Sequence, residues 1–303
     1  MPSVSSLAEA SETLAAAHAE RRSLRIGEEL TTEGLDRILE HEAGDLTCTV
    51  EAGVRLSTLQ NALGEHGQRL SLDPPGDPTI GALLAENMSG PLRHRFGAPR
   101  DLVLGVTLVL ADGTIANAGG KVVKNVAGYD LARLVCGSRG TLALIARASF
   151  RLHPLAKAAQ TLAVETDDAA AVVAAILESQ LQPSALDILH PGGVLALFEG
   201  SPRAVAAQIA TAQGLVGGGE IELAVWERSR RRQSLARGRA RFAPGRLADT
   251  LAGLGEAVVR PAAGIAYTTN EPSDKSQDLE PEAVRSLVEA IRRQFDPNGV
   301  LAA

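Results

Sequence analysis

The chain has 303 residues, 45% of them hydrophobic and 22% charged, with a formal net charge of −6. That is enough apolar material for a full core and for two domains, and it excludes a disordered chain. The acidic balance argues against nucleic acid as the main partner, because neutralising phosphates asks for a basic surface.

Taken in order, residues Ser3 to Glu20 read as an Ala-rich helix, followed by a short strand at Ser23 to Ile26 and a second helix from about Thr32 to Glu42 with Thr32 as N-cap. The segment LTCTVEAG alternates, with Leu46, Cys48 and Val50 on one face, and reads as a half-buried strand. Arg55 to His66 makes a helix with Leu56, Leu59 and Leu63 on one side and Gly67 after its end. Strands at Val103 to Leu110 and Thr114 to Asn117 flank the Asp112-Gly113 hairpin signal, and Thr141 to Leu152 is a further strand. Beyond Pro154 the order becomes strand, helix, strand, strand, helix, strand, at Thr161–Glu165, Asp168–Ser179, Ala185–Leu189, Val194–Phe198, Pro202–Gln213 and Glu220–Val225. That is the β-α-β-β-α-β ferredoxin-like unit. A helix from about Pro281 to Phe295 closes the chain before FDPNG breaks it.

Between Asp73 and Ile145 the chain is dense in loops and glycine, a texture suited to close backbone approach to a phosphate or a flat ring. Common motifs fail there. No GxGxxG follows a strand, GGK at Gly119 to Lys121 lacks the spacing of a P-loop, and there is no GxSxG elbow. The six histidines are scattered without an HxxxH pair, so no metal site is expected. Cys48 and Cys136 form no CxxC pair and cannot supply an iron–sulfur ligand set. No run reaches the ~18 apolar residues of a spanning helix, and the sequence reads as cytoplasmic.

Three linked stretches carry a resemblance: DPPGDPTIGALLAENMSG (Asp73 to Gly90), RHRFGAPRDLVLGVTLVLADG (Arg93 to Gly113) and GGKVVKNVAGYDLARLVCGSRGTLALI (Gly119 to Ile145). Together they resemble the PCMH-type FAD-binding domain of the vanillyl-alcohol-oxidase superfamily, and within it the FAD-binding subunits of glycolate oxidases. The implied fold is α+β, with an FAD-binding domain over residues 1–155 and a ferredoxin-like cap domain with the C-terminal helix over 156–303. The resemblance implies that the turn Thr79-Ile80-Gly81-Ala82 offers backbone N–H groups to the FAD pyrophosphate at a helix start, with Pro75 and Gly76 also among the cofactor-binding residues. It places Asn87, Ser89 and Gly90 near the pyrophosphate and isoalloxazine, Phe96-Gly97 where Tyr-Gly is usual, and Gly140, Leu144 and Ile145 at the adenosine end. A second, glycine-rich phosphate loop is replaced by GEEL, with Glu28 and Glu29 in it, and Arg139 and Ala143 depart from the usual GSEGTLGVI. The cofactor implied is non-covalent FAD, held less tightly for want of that loop.

By the same resemblance the chain oxidises a short 2-hydroxy acid such as glycolate as part of a complex with a second flavin subunit and an iron–sulfur subunit. Alternatives are a non-catalytic subunit that keeps the fold with weakened or lost FAD binding, and a flavin enzyme acting on a sugar alcohol. The His-rich GDGNxH type of motif found in related 2-hydroxy-acid dehydrogenases is missing, and no catalytic residue is assigned. Lys121, Lys124, Asn125, Tyr129 and Asp130 are candidates either for the flavin edge and a substrate carboxylate or for a merely structural loop. The arginines from Arg228 to Arg246 read as a solvated helix face, a docking face for an acidic partner subunit or a contact for an anionic substrate.

Overall fold

The computed structural model describes residues 3–120, 130–269 and 282–302. Lys121, Lys124, Asn125 and Tyr129 lie outside them. Two sheets organise the chain, one of five strands and one of seven.

The first unit opens with α1 (Leu7–Glu20), whose start is fixed by the Ser6 hydroxyl accepting from the Glu9 amide and whose end is Arg21 in the left-handed region. Ala10, Leu14 and Ala17 recur at helical spacing and are buried against Val109, Ala111, Leu144 and Ala146. The strand expected at Ser23–Ile26 is reduced to single bridges, Leu24 to Leu301 and Ile26 to Leu30. Residues 32–42 overturn the sequence reading. Instead of a helix, the segment turns at Thr32, where the Leu35 amide donates to the Thr32 carbonyl, and then forms β1 (Ile38–Glu42), antiparallel to β2 (Thr47–Glu51). Gly34 lies against Val4, so that a Cβ there would stand 2.7 Å from its carbonyl oxygen. A paired sheet edge and this close approach outweigh a weak local helix preference.

Then come α2 (Leu56–Gly64), β3 (Gln68–Arg69), α3 (Ile80–Ala85), α4 (Arg93–Phe96), α5 (Pro99–Leu102), β4 (Val103–Val109), β5 (Ile115–Gly119), α6 (Leu131–Leu134), β6 (Leu144–Arg151) and β7 (His153–Pro154). The β4–β5 hairpin forms as read, turning at Asp112-Gly113 with Gly113 at φ +86°. All neighbours in the sheet β1-β2-β6-β4-β5 are antiparallel. One face of this sheet buries Cys48, Val50, Val106, Leu108 and Phe150 against the leucines of α2 and α3. Alternation along β2 and β6 is what gives the sheet that apolar face.

In the second unit β8 (Ala158–Glu165), α7 (Ala169–Glu178), β9 (Ala185–His190), β10 (Gly193–Gly200), α8 (Pro202–Val216) and β11 (Gly219–Ile221) follow the expected order. Their spatial order, β11-β8-β10-β9, is that of the ferredoxin-like unit. Asp168 and Ser201 cap the two helices with their side chains. The sheet then continues, which the sequence did not announce: α9 (Val225–Ser234), β12 (Gly238–Arg241), α10 (Leu247–Ala252), β13 (Ala257–Arg260) and β14 (Ile265–Thr268) extend it as β9-β13-β14-β12. Each added strand has four residues, and β12 buries only Ala240, too little to show as a hydrophobic period. α11 (Glu282–Phe295) buries none of its side chains. After it, Val300 and Leu301 return to the first unit, where the Leu24 amide donates to the Val300 carbonyl at 2.6 Å. Among the described residues no helix is long and apolar enough to cross a membrane.

The two units meet through polar groups around an apolar patch of Leu92, Leu189, Leu197, Trp226 and Val258. Arg69 makes a bidentate pair with Glu199 at 2.7 and 2.7 Å. Deeper, Arg260 of β13 is 2% exposed and faces Asp187 of β9, 0% exposed, at 3.5 Å. Ser229 of α9 donates to that same carboxylate. The Arg260 guanidinium also donates to Gln233 at 2.7 Å and to the Ser89 carbonyl at 3.4 Å, and it lies over the Tyr267 ring at 5.1 Å. Removing one member of a buried pair strands the other charge. Arg260→Met is therefore expected to lower stability in urea unfolding by about 3–5 kcal/mol, with much of the loss recovered by adding Asp187→Asn. A loss below about 1 kcal/mol would show that the pair is not what joins these elements.

Candidate functional site

A cleft of about 320 Å³ opens between the N-terminal segment, the turn before α3 and the segment leading into β6. Its apolar lining is Ile26, Ala82, Ala85, Ala143 and Ile145, and its polar lining includes Thr31, Thr32, Thr79, Glu33, Arg55, Glu86 and Arg139. Two glycines let its walls approach. A Cβ on Gly81 would stand 3.1 Å from the Ala52 Cβ and 3.3 Å from the Thr32 hydroxyl. At Gly140, with φ +77°, it would stand 2.8 Å from the Ile26 Cβ. Both positions therefore tolerate no side chain without moving a wall.

Of the residues expected at a site, Thr79, Gly81, Ala82, Gly140 and Ile145 line this cleft. The others lie elsewhere. Pro75 and Gly76 form an exposed bend in which Gly76 takes φ +72° with nothing around it. Ile80 and Leu144 are fully buried in the apolar clusters. Asn87, at φ +48°, accepts from the Arg100 amide at 3.4 Å. Ser89 is buried at the junction, its hydroxyl accepting from Arg93 at 3.1 Å and its carbonyl from Gln233 at 2.9 Å. Gly90 lies so close to Asp73 that a Cβ would overlap the Asp73 carbonyl. Phe96 also sits at the junction, with Arg69 5.2 Å from its ring centre and the His153 ring at 4.7 Å, and Gly97 ends α4 at φ +83° beside the Asp101 carboxylate.

The expected amide donors are spent inside the protein. Ile80 N–H donates to the Val54 carbonyl at 2.9 Å, Gly81 N–H to Ala52 at 2.7 Å and Ala82 N–H to the Thr79 hydroxyl at 3.3 Å. In the acidic loop, Gly27 N–H donates to the Leu30 carbonyl and the amides of Glu28, Glu29 and Leu30 all turn onto the Arg25 carbonyl. Glu28 and Glu29 also pair with the Arg25 guanidinium at 3.1 and 3.6 Å. An anion cradle made of backbone is thus absent from both loops, whereas the apolar lining suits a flat ring and the rim carries threonine hydroxyls and two arginines. A flavin dinucleotide fits this lining through side chains rather than through a nest of amides. Arg55 was missed in sequence because it reads as the first residue of a helix. The fold brings it to the cleft by bridging its backbone to Thr79.

A second hollow, of about 440 Å³, lies on the open face of the five-stranded sheet among Glu40, Thr49, Thr107, Asn117, Arg147 and Ser149. None of the expected residues lines it. Asp130 caps α6 and pairs with Arg133. Burial pushes both thiols, Cys48 and Cys136, up to about 12, so neither is a thiolate nucleophile at neutral pH. Among the described residues no three His, Cys, Asp or Glu side chains are grouped to hold a metal. The arginine run is not a uniform solvated face. Arg230 pairs with Asp73 and Glu227 at 3.6 and 2.8 Å, and Arg232 with Glu256 at 3.1 Å, which leaves Arg228, Arg231, Arg237, Arg239, Arg241 and Arg246 exposed.

Asp73 is the titrating group of the junction. Burial raises its carboxyl to about 7, against the pull of Arg260, the Leu92 amide and Arg230. The folded state then holds the proton more tightly than the unfolded chain. Its contribution to stability is greatest below the ordinary carboxylate value, is lost as pH rises toward 7, and is level above that. Because the side chain keeps 19% exposure, water tempers the effect. Asp73→Asn is expected to gain about 1–3 kcal/mol on the parent between pH 4 and 8 in urea unfolding. Parallel pH profiles for the two proteins would remove the shift.

Residues 5–119 match the family of FAD binding domains. Over 218 residues, 69% of this chain, the sequence is 33% identical to the glycolate oxidase subunit GlcE of Escherichia coli, of which that match covers 61%. It is 36% identical to the glycolate oxidase subunit GlcD of Bacillus subtilis over 54% of this chain and 36% of that one. With a D-lactate dehydrogenase of Archaeoglobus fulgidus it shares 38% identity over 54% of this chain and 38% of that one. The chain therefore spans less than two thirds of the length of these relatives. An alkyldihydroxyacetonephosphate synthase structure superposes with a TM-score of 0.74 at 15% identity, covering 99% of this chain and 76% of that one, a likeness of fold.

Proposed function

We propose that this chain, which carries an FAD-binding domain of the type matched over residues 5–119, is the FAD-binding subunit of a glycolate oxidase-like complex. In this reading residues 1–155 form the flavin domain and 156–303 the cap. The observation that carries it is the cleft itself, whose glycine-tightened walls and apolar lining fall largely within the matched residues. Thr79, Gly81, Ala82, Gly140 and Ile145 hold the dinucleotide, joined by Ile26, Thr31, Thr32, Arg55, Ala143 and Arg139. The bound flavin supplies a hydride acceptor that passes electrons onward. The protein's own part is to bind, orient and shield it. The substrate class is a short 2-hydroxy acid, as the names of the relatives support. The partners are a second flavin subunit and an iron–sulfur subunit.

One observation favours a second reading, a non-catalytic subunit that keeps the fold and has weakened or lost FAD binding: the amides of residues 27–30 and 80–82 are engaged within the chain. Titration of the purified protein with FAD separates the two readings. A flavin absorbance band that shifts and saturates in the micromolar range supports the first, and a chain left colourless at millimolar FAD supports the second. Glycolate or D-lactate oxidation is expected only on co-expression with the partner subunits; robust turnover by the isolated chain would overturn the complex. Reversing Arg228 and Arg231, which are exposed where Arg230 and Arg232 are internally paired, to Glu is expected to slow association with the partner subunits at low salt.

A further inference from the structure

We propose that the diphosphate of the bound dinucleotide is held by the side chains of Arg55 and Arg139, each of which exchanges a carboxylate partner, Glu33 and Glu86, for phosphate. The assignment rests on the flavin reading above. Its starting point is that seven amides beside the cleft are engaged within the chain: those of residues 27–30 close on the loop itself, and those of residues 80–82 on Val54, Ala52 and Thr79. A buried dianion without amides must be met by fixed cations. The cleft lining contains two, Arg55 and Arg139.

Both are anchored by their backbones, and their heads are held by partners at the rim, Arg55 also donating to the Asp77 carbonyl at 3.1 Å. Leu56 N–H donates to the Pro78 carbonyl and Ile80 N–H to Val54, which locks Arg55 beside Thr79. Arg139 takes φ +53°, uncommon without glycine, while its N–H donates to the Ala85 carbonyl at 3.0 Å. Glu33 meets the Arg55 guanidinium at 2.8 Å, and Glu86 meets that of Arg139 at 3.4 Å. In each pair both side chains are about half exposed or more, so the ion pair contributes little and its carboxylate can turn to water. The planar guanidinium offers two parallel donors that match a phosphate as well as a carboxylate. The pairs therefore hold the arginines at the cleft until an anion of higher charge arrives.

The test measures dissociation constants of the full chain for FAD, ADP and riboflavin, in the parent and in Arg55→Gln, Arg139→Gln, Glu33→Gln and Glu86→Gln, with thermal melts of each protein free of ligand. FAD and ADP are expected to bind about tenfold more weakly to each arginine variant, and riboflavin unchanged. Either glutamate variant is expected to bind FAD more tightly, Arg55→Lys to recover part of the loss, and the ligand-free melts to stay close to the parent. Unchanged FAD affinity in both arginine variants overturns the assignment and leaves the flavin reading intact. A parent that binds ADP in an arginine-dependent way but no FAD keeps the assignment and removes the flavin; a parent that binds neither overturns both.

Discussion

The geometry of the molecule depends on one guanidinium. Arg260 is held among Asp187, Gln233 and the Tyr267 ring inside the second unit, and its Nη1 reaches the Ser89 carbonyl of the first. Burying a charge of this kind costs several kcal/mol, which only a dense set of partners offsets. The partners are drawn from β9, α9 and β14 and from the segment before α4, so the ion pair that completes the added strands also sets where the first unit docks. Asp187 is raised by burial against the charge of Arg260 and the Ser229 hydroxyl. In so dry a place these groups act as one.

Against that rigid junction the cleft is a softer construction. Its walls approach at Gly81 and Gly140, but its charges sit on long side chains at the rim, where water screens them. A nest of backbone amides is organised before a ligand arrives, whereas arginines must be ordered as it binds and lose rotamer freedom in doing so. On the assignment proposed above, a dinucleotide in this cleft would meet its electrostatics in side chains rather than in the main chain. Exposed Glu28 and Glu29, tied to Arg25, keep the former loop closed on itself.

How much of this was legible in the sequence varied with the range of the forces involved. The ferredoxin-like order and the β4–β5 hairpin were readable because caps such as Asp168 and Ser201 and the Asp112-Gly113 turn are local signals. β1 was misread as a helix because its strand state comes from pairing with β2, which no window of residues displays. β12, β13 and β14 were invisible for a related reason: strands of four residues are too short to show a period and gain their stability from neighbours. At the site, the glycines of the tight approaches were readable and the commitments of the amides were not. Ile80, Gly81 and Ala82 look available in sequence, and only the positions of Val54 and Ala52 show that they are occupied.

The return of Val300 and Leu301 to Leu24 orders the chain in time as well as in space. These residues close an apolar cluster with Leu14, Leu24 and Leu30, and Asp296 fixes the approach by accepting from the amides of Val300 and Leu301. A contact of such long sequence separation carries the full entropy of closing the loop between its ends. During synthesis the second unit can gather its sheet as it emerges, while the cluster around Leu14, Leu24 and Leu30 waits with an open apolar flank until Val300 and Leu301 have followed. Val300 and Leu301 are therefore a lock for the segment around Leu24, and the wall of the cleft that contains Ile26 is completed by residues far from it in sequence.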